Sequence, residues 1–286
     1  MSGALVGMSA CSQTSSADAP ATTQTAPITP VATTVPVTTT EAPTTTAAPT
    51  TTEAPTTTTA APTTTLPANV VVVGTTMFPM AAVHKNNGPD TQAVQERLNQ
   101  LGFWTGTPDG QYGFATVQAV MAFQKYLGLP SSGSVDDGTA AYLSAFPERA
   151  HGLSDSGTLV EVDKAKQLLF IVVDGQTVWA FNTSTGSGIP YEATNKKDPT
   201  KIEKGDAMTP AGLFEVTRER PEGWWEGDLG KIYRPKYFNG GIAIHGMTSV
   251  PNYPASHGCV RLSTMAMDFV WDSGLVPIGT PVWVHE

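Results

Sequence analysis

Residues 167–181, QLLFIVVDGQTVWAF, read as two apolar strands folded about Asp174-Gly175. An Asp-Gly pair between apolar runs signals a two-residue hairpin, because the turn that matches strand twist needs positive φ at its central positions. Working outward, LVEVD at 159–163 gives a strand before the hairpin, and GLFEVT (212–217), GIAIH (241–245) and PVWVHE (281–286) give strands after it. One helix is expected at about Thr264–Ser273. Five or more strands with Gly and Pro turns make residues 157–286 a mainly β domain. Its chemistry must then lie on strand ends and loops.

The informative loop is IHGMTSVPNYPASHGCVRLS, residues 244–263. It places His245-Gly246 at the end of a rim strand and Ser256-His257-Gly258-Cys259 on a tight turn fourteen positions later. Acyl transfer to a nucleophile needs a thiolate, a base that generates it and backbone donors for the oxyanion. This segment offers all three. Glycine lets the backbone approach a reacting carbonyl, and the amides of Gly258 and Cys259 are expected to be the donors because a helix-like turn is read after them. An imidazolium beside the sulfur would hold Cys259 ionised. A zinc site built from His245, His257 and Cys259 is the competing reading, disfavoured because no second Cys accompanies them and two of the three sit close in sequence.

Upstream, residues 84–150 carry helical periodicity. Asp90 is read as an N-cap before Val94, Leu98 and Leu101, with Gly102 ending the first helix. TPDGQYG at 107–113 is turn chemistry, and a second helix from Ala115 buries Val117, Val120, Met121, Phe123 and Tyr126 before Gly128 and Pro130. A third begins near Asp136 and uses Ala140, Leu143 and Phe146. Three short helices leave little room for a catalytic cleft.

Residues 12–83 are read as a Thr/Pro-rich linker, with EAPTTTAAPTTT at 41–52 nearly repeated as EAPTTTTAAPTTT at 53–65. Such a composition cannot bury enough apolar surface to offset its ordering entropy, and its prolines bias it to an extended solvated spacer. Residues 1–11, MSGALVGMSAC, resemble the end of a bacterial lipoprotein signal, in which Cys11 would carry lipid, although the positive region and longer apolar run of a full signal are absent. We therefore expect a start upstream of Met1; otherwise Cys11 is an ordinary residue of a leader.

Charge excludes one class of partner. Residues 84–150 hold six acids against four bases, residues 151–286 sixteen against twelve, and the chain carries a net −9. No region is basic, so nothing is available to neutralise nucleic-acid phosphates. Only two cysteines, Cys11 and Cys259, are present, too few for a disulfide framework.

Two resemblances sharpen these readings. The run from VQERLNQLGFWTG through DGQYGFATVQAVMAFQKYLGLPSSGSVDDGT resembles the three-helix peptidoglycan-binding domain, with Gly102, Gly110, Gly113 and Gly128 as turn glycines and Ala119, Val120, Phe123 and Gln124 as its helix signature. Residues 158–286 resemble the L,D-transpeptidase catalytic family, which has a His followed after a loop by Ser/Thr-His-Gly-Cys; STGSG (184–188) and TPAG (209–212) match its other turns.

The resemblance implies a β-sandwich or barrel, a wall-localised extracytoplasmic enzyme, peptidoglycan stem peptides and glycan as partners, and no cofactor or metal. It implies Cys259 as nucleophile forming a thioester, His245 as its base, the Gly246 carbonyl orienting that base, and Ser256, His257 and Gly258 forming the nucleophile turn. His257 alternatively bonds the turn to itself. Arg261 is expected to meet a stem-peptide carboxylate or a structural acid such as Asp268. Residues 189–207 and 219–240 are read as loops, the second a candidate lid that would bring Trp224 and Trp225 to the donor; alternatively its aromatics complete a core. An L,D-carboxypeptidase or wall hydrolase uses the same thioester, and a catalytically idle wall-binding protein would keep the helical module alone.

Overall fold

The computed structural model describes residues 66–286. The readings made on Cys11 and on residues 12–65 lie outside them. Residues 66–83, expected to belong to the linker, run along the helical module. The Val73 amide donates to the Pro147 carbonyl at 2.7 Å, the Asn69 side chain donates to Gly152 and Ser154 carbonyls, and Val83 is buried. This segment contains the apolar run NVVVV at 69–73, which gives it side chains able to pack.

Three helices come first: α1 (Pro89–Gln100), α2 (Phe114–Tyr126) and α3 (Asp137–Ala145). Helix α1 corrects the expected cap: Gly88 is the N-cap and Asp90 lies in the first turn, because Pro89 takes the first helical position, where its missing N–H costs nothing. Asp136 caps α3, accepting from the Thr139 amide at 2.8 Å.

Twelve strands follow. β1 (Leu159–Asp163), β2 (Leu168–Val173), β3 (Gln176–Asn182), β6 (Gly212–Glu215) and β12 (Pro281–His285) form a sheet of order β3-β2-β1-β12-β6, parallel only between β1 and β12. The turn between β2 and β3 has φ of 50° at Asp174 and 78° at Gly175, as its sequence requires. A second sheet has order β11-β10-β9-β7, with β7 (Arg218–Glu219), β9 (Gly230–Asn239), β10 (Ile242–Met247) and β11 (Val260–Ser263); β8 (Trp224–Gly227) also pairs with β9. β4 (Pro190–Thr194) and β5 (Ile202–Asp206) form a separate hairpin. Helix α4 (Thr264–Asp272) packs on β10.

Strand β2 explains its own unbroken LLFIVV. Leu169 and Ile171 join the core between the sheets, with Ile244, Val260, Leu262 and Met267. Leu168, Phe170 and Val172 face the other way, into a core shared with Leu98, Leu101, Phe103 and Phe123 of the helical module. A strand buried on both faces has no polar side to show. Losing one such side chain to Ala costs about 2–5 kcal/mol.

The module is thereby fixed against the β domain. The Gln118 side chain donates to the Val250 carbonyl at 3.1 Å and accepts from Asn182, while Asn252 donates to Ser131. Lys125, 9 % exposed, donates from Nζ to the carbonyls of Gln167 and Thr183 at 3.2 and 3.1 Å.

Three segments depart from expectation. Residues 189–207 and 219–240 are hairpins rather than loops. β4 and β5 are too polar, and β9 too interrupted by Lys231, Lys236 and Pro235, to show alternation in sequence. The residues after Cys259 form strand β11 rather than a helix-like turn, and α4 begins only at Thr264.

Candidate active site

Parallel pairing of β10 with β11 sets His245 opposite Arg261 and Ile244 opposite Val260. Cys259 immediately precedes β11, so the same register sets it opposite Ala243. Alternation then sends Ile244, Val260 and Leu262 into the core and leaves Ala243, His245, Cys259 and Arg261 together on the other face. The thiol and the imidazole are diagonal neighbours on adjacent strands of one sheet face.

His245 is 2 % exposed, and its Nδ1 lies 3.0 Å from the Gly246 carbonyl oxygen. A carbonyl only accepts, so Nδ1 carries the ring proton and Nε2 is the basic nitrogen. Burial, reinforced by the charge of Arg261 and opposed by the Gly246 bond, lowers the His245 pKa to about 4. Burial also pushes the partly exposed Cys259 thiol up, against smaller opposing effects from the Ala243 amide and Arg261. The thiol's hydrogen bond goes to the Gly241 carbonyl at 3.9 Å. Burial is the largest influence on each group and favours the neutral thiol and the neutral imidazole, in the direction opposite to the expected ion pair.

The nucleophile turn is held from three directions. Ser256, 2 % exposed, donates from Oγ to the Cys259 carbonyl and accepts from the Gly258 amide at 3.0 Å. One of the two amides expected to receive an oxyanion is thus engaged within the turn. Gly258 has φ of 133°, and a Cβ there would lie 2.8 Å from the Met208 carbonyl, so a side chain is excluded by both conformation and space.

Thr209, in the TPAG turn, accepts from the Gly186 amide at 2.9 Å and donates to the Gly258 carbonyl at 2.7 Å. From the STGSG turn, the Thr185 carbonyl accepts from the Ala255 and Ser256 amides, and the Ser184 hydroxyl donates to the Tyr253 carbonyl. Gln167 holds Thr185 by its amide at 2.8 Å and its hydroxyl at 2.7 Å. Sequence reasoning assigned no role to Ser184, Thr185, Thr209 or Gln167. Their signal was the two turn motifs, which show a turn but not what it grips.

His257 does not bond the turn. Among the described residues its ring makes no hydrogen bond; it is exposed and packs edge-on against Tyr191 with centroids 4.6 Å apart. Burial, then Arg261, lower its pKa. It lines a groove of about 350 Å³ with Ser187, Ile189, Tyr191, Tyr253 and Ser256.

Arg261 does not meet Asp268, whose Oδ1 accepts from Arg234 Nη1 at 2.6 Å and the Tyr233 hydroxyl at 2.9 Å. Asp268 rides on α4, which packs on the core face of β10, whereas Arg261 lies on the face of His245. Trp224 and Trp225 are 45 % and 38 % exposed, so neither completes a core, whereas Tyr237 and Phe238 of the same segment are buried. The tips of the two hairpins meet through the Lys196 amide and the Asp228 carbonyl at 2.7 Å and the Lys197–Asp228 ion pair at 3.1 Å. Among the described residues no group of three His, Cys, Asp or Glu side chains is placed to hold a metal ion.

Comparison with known proteins gives two family matches. The YkuD family, the L,D-transpeptidase catalytic domain, matches residues 157–284, and a peptidoglycan-binding domain family matches residues 87–143. The crystal structure of the L,D-transpeptidase from Xylanimonas cellulosilytica is similar at 45 % identity and a TM-score of 0.63, over 71 % of this chain and 96 % of that one. The N-acetylmuramoyl-L-alanine amidase CwlM of Mycobacterium tuberculosis is 37 % identical over 65 residues, which are 23 % of this chain and span 16 % of the amidase's length.

Proposed function

This chain belongs to the L,D-transpeptidase family, and from that premise we propose that it cross-links peptidoglycan stem peptides through a Cys259 thioester. The observation that carries the proposal is the shared sheet face of Cys259 and His245, with the His245 tautomer set by the Gly246 carbonyl. The Cys259 thiol gives its proton to Nε2 of His245 as sulfur attacks the carbonyl between the diamino acid and the terminal D-Ala of a donor tetrapeptide. The C–N bond breaks, His245 returns the proton to the leaving D-Ala amine, and the thioester remains. The side-chain amine of a diamino acid on a second stem attacks the thioester, His245 takes its proton, and the thiol is regenerated as the new amide forms.

With burial favouring both neutral forms, proton transfer accompanies attack. The Cys259 amide, and that of Gly258 on leaving Ser256, receive the oxyanion. Ser256 and Gly258 hold the turn, His257 lines the substrate groove, Arg261 offers its guanidinium to a substrate carboxylate, and Trp224 and Trp225 cover the donor. Residues 84–150 and 157–286 act as wall-binding and catalytic domains of an extracytoplasmic, wall-associated enzyme.

A carbapenem should add its mass to the intact protein and leave Cys259→Ala unchanged; labelling of the variant, or no labelling of the parent, refutes the nucleophile. Incubation with a disaccharide tetrapeptide then separates the two outcomes of one thioester: a cross-linked dimer supports transpeptidation, and tripeptide alone supports the carboxypeptidase.

A further inference from the structure

The sheet face that bears the thiol also gathers unpaired arginines. Tyr237 of β9 lies opposite Ala243 of β10, and Arg218 of β7 lies opposite Tyr237. Directly paired residues share a face, so Cys259, Ala243, Tyr237 and Arg218 form one row across four strands. Arg220, two residues on, keeps the same side, with its amide bonded to the Pro235 carbonyl at 2.9 Å. Glu219, between them, turns to the opposite face and is neutralised by Lys236 at 2.7 Å.

Four arginines occur in residues 151–286. Arg234 pairs with Asp268 and Asp272. Among the described residues, the other three, Arg218, Arg220 and Arg261, have no carboxylate within ion-pair distance, and all three lie on the catalytic face. The Arg218 guanidinium sits 3.7 Å from the Tyr237 ring centroid, and that of Arg220 4.5 Å from the Trp225 centroid. The Nε atoms of Arg220 and Arg261 are buried with no partner among the described residues. Burial pushes the Tyr237 hydroxyl up, and the charges of Arg218, Cys259, Arg220 and Lys197 act on it with smaller effects.

In a domain with more acids than bases, three arginines on one sheet face without an acid partner, two of them with a buried unpartnered Nε, are placed to receive an anion from elsewhere. Between Cys259 and Arg218 the row consists of the buried Ala243 and Tyr237. Three strand spacings put the Cys259 and Arg218 backbones roughly 14 Å apart. Side-chain reach from both ends leaves a gap that two or three extended residues span.

We infer that Arg218 and Arg220 form a carboxylate subsite for the acyl-donor peptide, selecting donors with a free carboxylate one or two residues before the scissile carbonyl over their carboxamides. The inference rests on the transpeptidase reading for the direction of the donor, but its test does not require turnover. On the full chain carrying Cys259→Ala, calorimetry would compare two disaccharide tetrapeptides that differ only in a carboxylate or carboxamide on the second stem residue.

The carboxylate form should bind about tenfold more tightly, and the gap should shrink with added salt. Adding Arg218→Gln should close the gap by weakening the carboxylate form alone, and Arg218→Lys should keep part of it. Arg220→Gln provides a second route should Arg218→Gln fail to fold. Equal affinities, tighter binding of the carboxamide, no binding of either, or a gap that survives both glutamine variants overturns the subsite. Turnover by the parent protein without discrimination would sink this inference and leave the transpeptidase reading intact; discrimination in binding without turnover would do the reverse.

Discussion

Lys125→Met tests how the helical module is joined to the β domain. The Lys125 ammonium is buried against two carbonyls, and that burial lowers its pKa from 10.5 to about 7. In the unfolded chain the amine titrates near its ordinary value of about 10.4. Between about pH 7 and pH 10 the unfolded state therefore holds a proton that the folded state has released, and stability rises with pH in that window. Below about pH 7 both states are charged, and the burial cost is constant and fully present.

At about 1.4 kcal/mol per unit of pKa difference, roughly three units correspond to about 4 kcal/mol. Methionine keeps the stem and removes the charge. At pH 7 the variant loses two charge-assisted hydrogen bonds of about 1.5–3 kcal/mol each and sheds a desolvation penalty of similar size, so its stability stays near the parent's. Urea unfolding of both proteins from pH 6.5 to 9.5 gives the difference directly, because other titrating groups cancel in the comparison. The parent should gain stability relative to Lys125→Met by up to about 3 kcal/mol across that range. Parallel profiles would refute the claim that a buried, unpaired lysine joins the two halves.

Alkylation of Cys259 by iodoacetamide should rise with pH and inflect above the position of an ordinary thiol, since burial raises its pKa; an inflection below pH 7 would restore the resting ion pair. Gly258→Ala puts a Cβ against the Met208 carbonyl at φ of 133° and should cost about 1–3 kcal/mol with loss of acylation, read from the melting temperature and carbapenem labelling; an unshifted melt sinks the packing argument. Thr209→Val leaves the Gly186 amide without its acceptor and the Gly258 carbonyl without its donor, so it should destabilise by about 1–3 kcal/mol and slow acylation, whereas Thr209→Ser should restore both. Trp224→Ala should raise the donor KM without lowering the melting temperature, because the residue is 45 % exposed and its ring lies only tilted against Tyr233, with centroids 5.3 Å apart; an unchanged KM removes it from the donor site.

Local chemistry made much of the fold legible. The strands at 159–163 and 168–182 showed themselves through apolar runs and an Asp-Gly turn, and the helices through their periodicity. β4, β5, β8 and β9 did not, because exposed hairpins take their order from pairing, and their side chains carry no alternating pattern. In the site, the spacing of His245 and Cys259 pointed to a nucleophile and base. That the residues after Cys259 pair in parallel with β10 could not be read from the segment itself.

What the sequence determined alone is the set of chemical groups: one thiol in residues 157–286, a His-Gly and a Ser-His-Gly-Cys in one segment, and glycines where only glycine fits. What tertiary structure decided is their state and surroundings. Burial favours the neutral thiol and the neutral imidazole, because desolvation depends on every neighbour and not on spacing along the chain. Strand register brings Arg218, some forty residues from Cys259 in sequence, onto the thiol's face, and the two-sided burial of β2 turns a tandem of two domains into one packed body.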